Sequence, residues 1–161
     1  MAADHSEFIA SLPKEVREAC QPLFDVLPPD KAMEELVPES YLMEASTVAA
    51  DVVRREPIAN SEGLQALIWL YVDELEKSHL VSQNMSTKTG SYLHGIMHRR
   101  EGDFSNAKYW FRNAGEHPAA PFDPHEFVDQ ASRLYRDNPE SLVEKQRVEW
   151  EALFKHIADE L

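Results

Sequence analysis

The chain has 161 residues, 43% hydrophobic and 28% charged, a size and balance that suit one soluble globular domain over 1–161. Its 29 acidic against 16 basic residues leave a formal charge of −13. That charge argues against nucleic acid as the main partner, because phosphate binding needs a cationic surface, and an anionic membrane surface is disfavoured for the same reason. Cys20 is the only cysteine, which excludes an intrachain disulfide and a thiolate metal cluster.

The opening MAADHSEFIASLP has no basic start followed by an apolar run, and no apolar segment of about 18 residues follows it. A cytoplasmic protein with no membrane span is the expectation. Pro13 can occupy the first turn of a helix whose stripe is Val16, Cys20, Leu23, Phe24 and Leu27, with Cys20 as a buried thiol, and Pro28-Pro29 stops it. Residues 30–37 are read as a short helix and 41–55 as a longer one, closed by Pro57. Asn60 or Ser61 caps a third long helix that reaches about residue 83, with Leu64, Leu67, Ile68, Tyr71 and Leu75 on its apolar face.

The polar loop NMSTKTGS follows, then helices over 92–101 and 106–114, with Gly115 as the natural end of the second. Asp123-Pro124-His125-Glu126 is a helix start, with a capping acid and proline at the first helical position. Phe127, Val128, Ala131, Leu134 and Tyr135 line one face beyond it. After Asn138-Pro139, a last helix carries Val143, Arg147, Trp150, Phe154, Ile157 and Leu161. No convincing alternating strand occurs. The fold class expected is all-α, a compact bundle of about six to seven helices.

Residues 92–118 have the small-residue spacing of a helix–turn–helix unit: Gly95, the turn Gly102-Asp103-Phe104, then Ala107, Phe111, Ala114 and Pro118. This stretch resembles a single tetratricopeptide repeat, over 27 of 161 residues. No second copy lies about 34 residues to either side, so the resemblance implies a tetratricopeptide-like hairpin inside a bundle rather than a solenoid. The run HGIMHRREGDFSNAKYWF also resembles bacterial and fungal proteins of unassigned function. The repeat pattern has a leucine-like residue where this chain has His94 and a tyrosine-like one where it has His98. The resemblance implies that both imidazoles point inward, where a polar group needs a partner.

Stepping the third helix by about 100° per residue carries its buried direction on to Ser78, His79 and Ser82, with Glu74 flanking and Asp73 and Lys77 pointing away. On the next helix His94, His98 and Glu101 share one face. If the two helices are antiparallel neighbours, His79 comes near His94. Three histidines and a carboxylate suit Zn²⁺, Fe²⁺ or Mn²⁺, although the His-x-x-x-His pair lacks the adjacent glutamate of a zinc-protease motif. A metal-free hydrogen-bonded network is the competing reading of the same histidines.

Arg99 or Arg100 can hold an anion through its planar fork; as an alternative, the two are an exposed pair bridged to Glu101, Asp103 or another surface acid. Asn106, Lys108 and His117 are candidate ligand contacts. Of Tyr109, Trp110 and Phe111, at least one ring packs against another helix. Two functions stand at this point. One is a binding or interaction module with a polar His/Arg pocket for a small anion or a carboxylate-bearing partner. The other is a metal-dependent enzyme with its site in the bundle core.

Overall fold

The computed structural model describes residues 5–161; the first four residues of the N-terminal stretch read above lie outside them. The described residues form nine α-helices and no strand, so the all-α expectation holds. They are α1 (Ser6–Ser11), α2 (Lys14–Val26), α3 (Met43–Val52), α4 (Glu62–Tyr71), α5 (Leu75–Ser82), α6 (Lys88–Arg100), α7 (Phe104–Ala114), α8 (Pro124–Leu134) and α9 (Glu140–Asp159), with a 3-10 turn at Ile58–Asn60. No helix of the described residues is long and apolar enough to cross a membrane.

The local signals work as capping chemistry requires. Ser61 accepts a hydrogen bond from the Leu64 N–H, Thr87 from Gly90, Asp103 from Asn106 and Asp123 from His125. The helix count exceeds six or seven for two reasons. α1 carries no periodic signal of its own, and it is held by Phe8, which packs edge-on against Phe24, Trp150 and Phe154. The second reason is that the long helix expected up to residue 83 is two helices.

The break lies at Val72 to Glu74. Asp73 takes a left-handed conformation (φ 65°), and the Glu74 N–H bonds back to the Trp69 carbonyl at 2.9 Å, a Schellman-type helix end without glycine. Arg100, from α6, stabilises it. Its guanidinium donates to the Leu70 carbonyl at 2.7 Å and to the Asp73 carboxylate at 2.6 Å. Asp73 therefore does not point away, as the helical wheel of an unbroken helix had it.

Residues 30–37 form no helix. Their backbone is satisfied by side chains instead: Arg147 donates to the Ala32 carbonyl, Gln146 to Met33 and Glu35, and Arg100 to Glu35, while Asn138 accepts from the Leu36 N–H. Cys20 is buried as expected, and burial pushes its thiol up to about 12.

Two helices occupy the interior. α4 buries Leu64, Leu67, Ile68, Trp69, Leu70 and Tyr71, and the Trp150 indole from α9 donates to its Leu67 carbonyl at 2.7 Å. α6 is buried at ten of its thirteen positions, including His94, His98, Arg99 and Arg100. A helix buried on all sides is normally apolar all round. This one carries four polar side chains inward, and each must find its partner inside the protein. Tyr92, Leu93, Ile96 and Met97 fill other inward directions, and Gly95 lets the Phe111 ring of α7 come close. A Cβ at Gly95 would stand 2.8 Å from that ring.

Candidate metal centre

The three histidines expected to approach one another do so. His79 comes from α5, and His94 and His98 from successive turns of α6. One ligand atom from each lies within 4.8 Å of the other two. The Nε2 atoms of His79 and His94 are 3.0 Å apart, and the His94 and His98 rings stack at 4.8 Å with 23° between planes. His94 and His98 are buried and His79 is half-buried, so the cluster opens to solvent on the α5 side.

The ring states follow from the partners. The Glu101 carboxylate lies 2.5 Å from Nδ1 of His98 and accepts its proton, which leaves a lone pair on Nε2. The Asn106 amide nitrogen lies against the same ring, 3.4 Å from Nδ1 and 3.3 Å from Nε2, and so sits on the lone-pair axis of neither. His94 has no partner at Nδ1, although the atom is buried. Its other nitrogen faces a second imidazole nitrogen, so one proton at most can sit between them.

Burial holds the His94 pKa down at about 4, and the neighbouring His98 and His79 would repel a charge there as well. His94 is therefore a neutral imidazole at physiological pH. Its outer face lies flat against the Trp110 indole, 3.9 Å between centroids and 9° between planes. One turn of α5 further on, the buried Ser82 hydroxyl also has no partner among the described residues.

Asp103 approaches His98 too, but its carboxylate caps α7 through the Asn106 N–H, and both it and Glu101 are exposed. It adds nothing to the three-imidazole group.

Arg99 and Arg100 depart from both sequence expectations. They are neither an exposed pair nor open to a ligand; 1% and 0% of their surfaces are exposed. Arg99 forms a two-pronged ion pair with Glu149 of α9, Nη2 to Oε1 at 2.9 Å and Nη1 to Oε2 at 3.2 Å, and stacks over Phe127. Arg100 serves the α4 break. Helical geometry explains this, since each residue turns about 100° and the two arginines leave the face of His94 and His98 for the opposite side. The guanidinium forks are occupied by protein acceptors.

Lys108 pairs with Asp129 of α8 at 2.5 Å and lies apart from the histidines. His117 is elsewhere as well. Its Nδ1 accepts the Ala119 N–H at 3.1 Å, so Nε2 carries the proton and donates to Thr89 at 2.8 Å. Burial and the nearby His156 lower its pKa. Of the five ligand contacts expected, only Asn106 touches the cluster.

Sequence reasoning missed the partners rather than the histidines. From the sequence, Trp110 is only one of three rings of which at least one packs against another helix, and nothing in a linear motif says that its plane meets His94. Gln146 and Glu149 are buried on α9 in the register of Trp150 and Leu153, and polar residues in an apolar register were the available signal. No family model, curated protein or solved structure matches the chain.

Proposed function

We propose that the chain binds one divalent transition metal through His79, His94 and His98, with zinc as the ion the donors suit best. The observation that carries this reading is the 3.0 Å approach of two imidazole nitrogens next to a third whose other nitrogen is held by a carboxylate. Two nitrogens on one tetrahedral ion at about 2.0–2.1 Å stand roughly 3.3–3.4 Å apart, so His79 and His94 need little movement. The Glu101–His98 bond has the form in which a carboxylate orients a metal-ligating ring. Imidazoles without thiolate or an inner carboxylate favour Zn²⁺ over Mn²⁺, and the iron sites built from two histidines and a carboxylate are less well matched.

With His79, His94 and His98 as neutral ligands, a bound dication would give the cluster net positive charge and would leave room for water or an anionic oxygen. This supports a metal-dependent reading of the anion-binding module. The anion would meet the ion instead of Arg99 or Arg100. Metal-bound water would be acidified, which is the basis of hydrolytic chemistry at such centres. The tetratricopeptide-like reading of α6 and α7 is part of the same proposal, supported by the close approach of Gly95 and Phe111.

The test is zinc titration by calorimetry of untagged, chelator-stripped protein. One equivalent is expected to bind, and His79→Ala, on the half-buried ligand, is expected to weaken it by 100-fold or more. Sub-stoichiometric binding, or affinity unchanged by His79→Ala, would overturn the proposal and leave a hydrogen-bonded His79–His94 pair.

A further inference from the structure

A cleft of about 660 Å³ opens between the C-terminal end of α7 and the start of α8. That volume lies within the roughly 300–1,000 Å³ of small-molecule sites. Four rings wall it: Phe111, Phe122, His117 and His125. Phe111 is fixed by Tyr92, edge-on at 5.0 Å, and Phe122 by Phe127, edge-on at 5.2 Å. His117 is fixed by bonds at both nitrogens. These three rings are thus held in place before any ligand arrives, which limits the ordering cost of binding.

Gly115 turns the chain at the wall with φ 62°, and a Cβ there would meet nothing within 4 Å, so the backbone bends round the space without filling it. The polar lining is uneven. Glu116 and Asp123 supply two carboxylates against the single guanidinium of Arg112. Neither Glu116 nor Arg112 forms an ion pair with another described residue, and Asp123 keeps one oxygen beyond the one that caps α8. His117 adds no charge, because a second proton on its ring would break the bond from the Ala119 N–H. The field of a chain with net charge −13 also favours a cation over an anion.

We infer that this cleft binds a planar aromatic amine in its protonated form, the ring lying against Phe122 and His117 and the ammonium at Glu116 and Asp123. The site is independent of the histidine cluster and needs no metal.

The experiment is a ¹⁵N–¹H NMR titration of chelator-treated protein with three probes that share one ring: tryptamine, indole and indole-3-acetate. Tryptamine is expected to shift the amides of residues 111–125 saturably and to bind about fivefold or more tighter than indole-3-acetate, the ratio expected of one partly screened ion pair. Glu116→Gln, on an exposed side chain, is expected to reduce that preference with the spectrum otherwise intact. Ala120→Trp, which places an indole in the cleft, is expected to weaken binding of all three. Equal binding of the three probes, shifts centred away from the cleft, no binding at millimolar tryptamine, or tryptamine binding unchanged by Ala120→Trp would each overturn the assignment.

Discussion

The imidazole of His94 and the indole of Trp110 lie face to face, 3.9 Å between centroids. Protonating His94 therefore places a cation on the indole face and quenches its fluorescence. Because burial and the neighbouring His98 and His79 hold the His94 pKa at about 4, the emission is expected to show an inflection near that pH. Subtracting the titration of Trp110→Phe isolates this signal from Trp69 and Trp150. Identical curves for the two proteins would show that the stack does not report His94.

The same shift has a stability consequence of definite sign. With a folded pKa of about 4 against an unfolded value of 6.5, the unfolded chain binds more protons at His94 between those limits. Stability from this group is full above pH 6.5 and declines as pH falls towards 4. His5 works in the opposite sense. Burial resists its charge, but Glu151 and Glu144 together raise its pKa, so its contribution is present below pH 6.5 and lost as pH rises through the folded value. The comparison is therefore made by variant. His94→Gln is expected to lose less stability than wild type between pH 7 and 5, measured by urea midpoint. An equal loss in both proteins would refute it.

Asn106 lies against the His98 ring and leaves its Nε2 lone pair open to a metal. Its amide nitrogen stands 3.3 Å from Nε2 of His98. Asn106→Ala removes no bond along that lone pair, and zinc affinity is expected to stay within about twofold of wild type, well short of the loss of one net hydrogen bond. Weaker zinc binding in Asn106→Ala would mean that the amide supports the site.

The Arg99–Glu149 pair lies where both side chains are 1% exposed. Glu149→Gln leaves a buried guanidinium without its counter-charge and is expected to cost about 3–5 kcal/mol in urea unfolding. The paired change Arg99→Met with Glu149→Leu removes both charges and keeps the volume. It is expected to be clearly more stable than Glu149→Gln alone, and a double variant as unstable as the single would count against this account.

Gly95 is required by volume. A methyl group there would stand 2.8 Å from the Phe111 ring, which is itself buried. Gly95→Ala is expected to destabilise by about 1–3 kcal/mol, and Phe111→Leu in the same chain to recover part of that loss. Full stability of Gly95→Ala would show that α6 and α7 can separate freely.

By itself the sequence determined the helical class, the helix starts at Asn60 or Ser61 and at Asp123, the buried thiol of Cys20 and the shared face of His94, His98 and Glu101. These are local properties, set by turn chemistry and by a period of about 3.6 residues. Three matters were decided only in tertiary structure. Arg100 fixes the end of α4 from thirty residues downstream, through the Leu70 carbonyl and Asp73, where the apolar period runs on without a break. Glu149 takes Arg99 out of any ligand pocket from fifty residues away. Trp110 reaches His94 only because the turn at Gly102-Asp103 folds α7 back onto α6. In each case a buried polar or aromatic group obtains its partner from a distant segment, and sequence spacing carries no record of that pairing.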